Sequence, residues 1–256
     1  MYKSLLIVLF TAISLNLHAQ AWEVGGFGGG AGYMGDLNQK NPLKVSGVAA
    51  GVFAWYNFNG YISLGIGANY GVISAADSLS SNLQNRIRNL SFTTRLLETS
   101  FTAEFNFMEF VPSVSKNLYT PYILFGIAYT NYNPQANYMG ETYNLRDYQT
   151  EGVAYKNTTI AVPFGVGIKY NIAGRLTLAG SLGYRTAYTD YLDDVSGVYP
   201  NKAKLNNPVS VALSDRSATQ IGTAGTQRGD LRPHDTYFFT GFSISYTFIT
   251  QKCYYE

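Results

Sequence analysis

A period-two alternation, repeated along the chain in segments of about ten residues, limits the possible folds more than any other feature. Five segments carry it: 61–72, 97–107, 160–170, 176–185 and 238–248. In the first, Ile62, Leu64, Ile66, Ala68, Tyr70 and Val72 alternate with Ser63, Gly65, Gly67, Asn69 and Gly71. In the second, Leu97, Phe101, Phe105 and Phe107 share one phase, while Glu98, Ser100, Thr102, Glu104 and Asn106 take the other. This is the pattern of β-strands with one greasy and one polar face, and the segment length suits a tilted strand crossing a bilayer. Three further strands are expected at 22–33, 47–57 and 121–132. The last is apolar on both faces over 122–127, so its phase stays open.

The charges inside the clean segments are Glu98, Glu104, Lys169 and Arg185, and all four lie on the non-apolar phase. A lysine or arginine facing lipid at mid-depth costs roughly 2–4 kcal/mol, so these groups are expected to point into a lumen and pair across it. Composition agrees. Charged residues are 13% of the chain, about half the usual share for a soluble domain, while aromatics reach 15% with 22 Tyr. A soluble barrel or sandwich also alternates, but its water-facing face would carry far more Lys and Glu. No apolar run beyond the N-terminus approaches 18 residues, which excludes helical spans.

Lipid offers no hydrogen-bond partner, so a sheet spanning it must close on itself. The expected fold is therefore all-β: a closed antiparallel transmembrane β-barrel of about eight strands. The links 57–60 and 171–174 are tight and rich in Asn and Gly, and 108–120 is intermediate. The links 34–46, 73–90, 133–157 and 188–235 are long and polar. Short periplasmic turns and long extracellular loops would place both termini in the periplasm of a bacterial outer membrane. Trp22, Tyr56, Tyr70, Phe107, Tyr129, Tyr170, Tyr184, Tyr188, Tyr246 and Phe248 are placed to form interfacial girdles. Residues 1–19, with Lys3 before the apolar run Leu5–Leu17, read as a cleaved secretory signal, leaving 20–256 as the barrel domain.

Chemistry-bearing motifs are sparse. Gly30 to Gly35 matches G-x-G-x-x-G, but no helix is expected after it, so the glycines are read as relieving crowding rather than binding a nucleotide. His234, with Asp230 or Asp235 and a loop serine, would be needed for a hydrolase, and no nucleophile-elbow sequence supports one. Asp190, Asp193 and Asp194 offer oxygen ligands for a hard cation, but the calcium-loop pattern is missing. A solvated loop paired with Arg216 or Arg228 is the plainer reading, and neither a metal nor a cofactor is assigned. The net charge of +2 without a basic stripe points away from nucleic acid, and Cys253, the single cysteine, cannot form an internal disulfide. About eight strands leave an interior that side chains fill, which argues against a pore.

Several stretches together resemble a known family. They are Trp22-Glu23-Val24-Gly25 running to Tyr33-Met34-Gly35-Asp36-Leu37, Tyr119-Thr120-Pro121-Tyr122, Asp190 to Ser196 followed by Tyr199-Pro200, and Arg228-Gly229-Asp230 leading into a closing strand. In order and spacing the set is similar to the PorG-like outer-membrane barrels of the type IX secretion system. The resemblance implies a non-enzymatic part of the secretion and gliding machinery, seated in outer-membrane lipid. It also implies partners, a periplasmic ring lipoprotein and its partner protein. Gly35, Asp36, Leu37, Asp190, Asp193 and Asp194 match family positions without a catalytic role. On the expected topology the 108–120 turn, with Phe110, Val111 and Lys116, and the tail 249–256 would face the ring. The alternative is a free-standing small barrel of the OmpA/OmpX kind, acting as membrane stabiliser, adhesin or lipid-modifying enzyme.

Overall fold

The computed structural model describes residues 21–205 and 207–249. The proposed signal 1–19, Cys253 and the tail beyond Ile249 lie outside the described residues. Nine strands form: β1 (Ala21–Met34), β2 (Val45–Asn57), β3 (Ile62–Ala76), β4 (Ser91–Asn106), β5 (Tyr119–Tyr138), β6 (Glu141–Asn144), β7 (Thr158–Ala173), β8 (Leu176–Ala187) and β9 (Thr236–Ile249). Each barrel strand pairs antiparallel with its neighbours, and β1–β9 closes the cylinder. The short β6 only folds back on β5, so the barrel has eight strands. All eight expected segments are barrel strands.

The outer wall shows why the cylinder belongs in lipid. Val52, Ile66, Leu97, Phe125, Val166, Phe242 and Ile244 are all more than half exposed, an apolar belt that water would not tolerate. β5 marks the limits of the belt. Its outward residues read Tyr119, Pro121, Ile123, Phe125, Ile127 and Tyr129, then Asn131, Asn133, Gln135 and Asn137. The two tyrosines are ten residues apart, which at a rise of about 3.4 Å and a tilt of about 40° gives roughly 26 Å, the height of a membrane barrel's apolar band. This also settles the open phase: odd positions of 121–132 face lipid and Leu124 faces the lumen.

Past the girdle the strands continue into water. The expected links 34–46, 73–90 and 133–157 are shortened because β1 and β2 run into the first, β3 into the second and β5 into the third. Polar outward residues looked like loop, yet their backbones stay paired: Arg95 pairs with Asn133, and Thr93 with Gln135. The short connections and both ends of the described chain share one end of the barrel, here the turn end; the long connections crowd the other, the loop end. Gly29 and Gly241 face each other where β1 and β9 close, and a Cβ on Gly29 would lie 2.1 Å from the Thr240 carbonyl oxygen. The glycines of the G-x-G-x-x-G stretch lie in β1 and the turn after it, with no helix following.

Candidate functional site

Glu98, Glu104, Lys169 and Arg185 all point inward and pair as two layers. Near the turn end Lys169 Nζ binds Glu104 Oε2, with both side chains 5% exposed. The ammonium also faces the Tyr122 and Trp55 rings, 5.0 and 5.9 Å from their centroids. Below this layer Glu23, absent from the expected set, accepts from Ser245 Oγ at 2.5 Å and Asn57 Nδ2 at 3.4 Å. Its position between the outward Trp22 and Val24 was the available clue.

Nearer the loop end, Glu98 is fully buried. It accepts from Arg185 Nε at 3.1 Å, the Tyr237 hydroxyl at 2.7 Å and Asn69 Nδ2 at 2.9 Å. Arg185 lies over the Phe239 ring at 4.4 Å. Between the layers remains a cavity of about 110 Å³.

The segment 188–235, expected as a solvated loop, instead folds down into the mouth. Leu192, Val195 and Leu213 are almost fully buried among Tyr33, Ile73, Phe92, Leu96 and Tyr132 from the strands. Each such side chain contributes roughly 2 kcal/mol of burial. Thr94 Oγ1 donates to the Leu192 carbonyl at 2.6 Å, pinning plug to wall. Periodicity could not reveal this, because the segment is irregular and its apolar residues are single and scattered.

Asp190, Asp193 and Asp194 are accordingly buried, not solvated. Tyr33 donates to Asp193 at 2.5 Å and to Asp235 at 3.2 Å. Asp194 accepts from Thr150 and Tyr155, each at 2.5 Å, and lies 4.0 Å from Arg228. Arg228 reaches Glu151 at 2.9 Å and the Asp194 carbonyl at 2.8 Å. Arg216, the other expected partner, binds Ser91 and the Asn137 carbonyl instead. Arg228 is 3% exposed, so Arg228-Gly229-Asp230 is not an accessible tripeptide. Asp36 accepts from the Asp230 backbone N–H, while Arg88 binds both oxygens of Asp77 and the Asp36 carbonyl. Gly35 packs against Tyr33 and Asp235, and Leu37 is buried.

Burial and mutual repulsion weigh on these acids. Burial first, then the Asp235 carboxylate, pushes Asp36 up to about 9, and burial raises Asp190 to about 7. Asp193 and Asp235 are pushed well above the carboxylate range, again by burial first and then by neighbouring acids. Asp194 rises to about 6, since Arg228 and its hydroxyl donors offset part of the burial.

One expectation is corrected. Phe110 and Val111 are buried at the turn end, so they offer no contact surface; Val114, Lys116 and Leu118 are among the exposed residues of that turn. His234 is exposed and stacks edge-on against Tyr188 at 4.9 Å, while Asp235 turns inward to Tyr33 and the Leu192 N–H. That arrangement is not a catalytic triad.

Among solved structures, the chain is similar to the N-terminal barrel domain of Pseudomonas aeruginosa OprF at 14% identity, covering 90% of this chain and 100% of that one, TM-score 0.40. Neisserial surface protein A shows 12% identity, covering 90% and 97%, TM-score 0.40. Pseudomonas aeruginosa OprG shows 10% identity, covering 91% and 97%, TM-score 0.42. No curated protein matches the chain. The model of the family described as a domain of unknown function, DUF6089, matches residues 2–256, and the chain belongs to that family.

Proposed function

We propose that this barrel is a non-enzymatic outer-membrane component of the type IX secretion and gliding machinery. It ties the periplasmic ring, a lipoprotein with its partner protein, to the membrane. The turn end and both termini face the periplasm, and the plugged loop end faces outward. The observation that carries the reading is the closed interior. Two ion-pair layers and the inserted 188–235 segment fill much of the interior, which favours a barrel that acts through its surfaces. The resemblance to PorG-like barrels supplies the system. Its scattered stretches meet in one place, with Tyr33 on Asp193, Asp36 on Asp230 and Arg228 beside Asp194.

Affinity capture of the tagged full-length barrel from cross-linked outer membranes is expected to recover the ring lipoprotein and its partner. A deletion strain that secretes and glides like its parent would overturn the proposal. Barrel recovered without ring proteins would favour the free-standing alternative.

A further inference from the structure

The buried acids at the loop end fall into two sets. Asp77 is neutralised by Arg88, Glu151 and Asp194 by Arg228, and Asp215 by Lys202. Asp36, Asp190, Asp193 and Asp235 have no such partner: among the described residues, no Lys or Arg nitrogen lies within 4.0 Å of their carboxylates, and Asp193 is held by the Tyr33 hydroxyl and the Val195 N–H. Arg88, which reaches the Asp36 carbonyl, spends its guanidinium on Asp77 and on carbonyls. Asp36, Asp190 and Asp235 are buried, at 1%, 8% and 1% exposure, and one carboxylate oxygen from each lies within 4.8 Å of the others. Two oxygens bound to one calcium at about 2.4 Å are at most about 4.8 Å apart, so this spacing fits a common ion.

An independent observation points the same way. Asp36 Oδ2 is fully buried and has no hydrogen-bond partner, while its Oδ1 is held by the Asp230 N–H. Buried polar atoms are rarely left unmatched, and a carboxylate oxygen left so beside two other acids needs a proton or a cation. The position also suits a clasp. Asp190 begins the plug segment, Asp235 ends it, and Asp36 follows β1, which pairs with β9. Asp190 lines an open depression with Ser196, Leu231 and Arg232, which gives an ion a way in.

We propose that Asp36, Asp190 and Asp235 form a binding site for a divalent, oxygen-preferring cation of the calcium type, which fastens both ends of the plug to the β1–β2 connection. Asp193 and Asp194 are not counted as ligands because they lie outside the trio whose oxygens share this spacing; the hydrogen bonds that Asp235 accepts from Tyr33 and the Leu192 N–H use one lone pair on each oxygen and leave another for an ion. Water would complete the coordination, as is usual for calcium sites with few protein ligands.

The test uses the full-length barrel folded in detergent and freed of metal by EDTA. Calcium chloride alone is titrated in, with binding read by calorimetry and stability by thermal unfolding. Wild type is expected to bind one ion saturably and to unfold at a higher temperature with calcium; at 100 times Kd the folded state gains about a hundredfold in its equilibrium. Asp36→Asn keeps the acceptor for Asp230. It is expected to unfold at the same temperature as wild type or higher without metal, yet to lose at least tenfold in affinity and the calcium-dependent shift. Asp147→Asn, at an exposed acid, should respond as wild type does. Absence of saturable binding to wild type would overturn the proposal, as would an Asp36→Asn protein that still binds with wild-type affinity. Should Asp36→Asn fail to fold, the wild-type titration and Asp190→Asn decide in the same way.

Discussion

The Glu104–Lys169 pair allows an energetic prediction with a direction as well as a size. Both groups are nearly fully buried, so removing one partner strands the other in a low dielectric, at a typical cost of 3–5 kcal/mol. The two halves are not equivalent. Lys169→Met leaves Glu104 without a base in a cavity that Glu23 also lines, placing two acids together. Its cost should sit at the upper end, about 4–5 kcal/mol. Glu104→Gln leaves the ammonium over the Tyr122 and Trp55 rings, which hold a desolvated cation by up to about 2 kcal/mol, and near Glu23. Its cost should be about 1–2 kcal/mol. The double variant should be more stable than Lys169→Met alone, with a coupling of about 2 kcal/mol or more. Equilibrium urea unfolding of the barrel in lipid vesicles measures this through tryptophan fluorescence, since Trp55 lies in the lumen and Trp22 at the girdle. Equal single costs, or additivity within about 0.5 kcal/mol, would refute the reasoning that charge pairing holds this layer together.

Three further outcomes follow from the same geometry. Phe125→Lys, in the middle of the lipid belt, should cost roughly 2–4 kcal/mol in vesicles, while Asn133→Lys above the girdle should cost under about 1 kcal/mol. Urea midpoints in bilayers separate the two. Gly29→Ala should destabilise by about 1–3 kcal/mol because its Cβ meets the Thr240 carbonyl, whereas Gly28→Ala, with nothing within 4 Å, should be nearly neutral. In EDTA, Asp194 makes the plug acid-stabilised. Its folded value near 6 exceeds the unfolded 3.8, so its contribution is complete below 3.8 and lost as pH rises through 6, roughly 3 kcal/mol in all. Arg228, Glu151, Thr150 and Tyr155 face this carboxyl, and Asp194→Asn should flatten the pH slope of the urea midpoint relative to wild type.

Much of the barrel was legible because period two is a property of single strands. The phase of Glu98, Glu104, Lys169 and Arg185 already placed them inside. Which acid meets which base was not legible, since β4 and β7 are not neighbours but flank β5, and their side chains meet inside the lumen at a height set by the stagger of the closed sheet. The phase of 121–132 could have been read from Tyr119 and Tyr129, whose spacing matches one bilayer crossing. The plug was hidden for a different reason. An irregular segment has no period to betray a buried face, and Asp193 and Asp194, adjacent in sequence, turn to different partners, Tyr33 and Tyr155. Nor did Asp36, Asp190 and Asp235 stand out together, because the fold brings them from opposite ends of the chain.

The plug changes how partner contacts should be sought. The stretches on which the proposed secretion role rests, Tyr33 to Leu37, Asp190 to Ser196 and Arg228 to Asp230, are largely spent on each other, through Tyr33–Asp193, Asp36–Asp230 and Arg228–Asp194. Substitutions there are expected to loosen closure of the mouth, so a secretion defect from them would report folding and not a docking surface. The discriminating residues are ones whose side chains are exposed. On the proposed topology these are Val114, Lys116 and Leu118, exposed on the turn beyond the buried Phe110 and Val111. Charge reversal at Lys116 combined with Val114→Asp should leave the urea midpoint within about 0.5 kcal/mol of wild type, the usual scale for surface changes, while reducing capture of the ring lipoprotein. Unchanged capture from a normally folded variant would remove this turn from the interface.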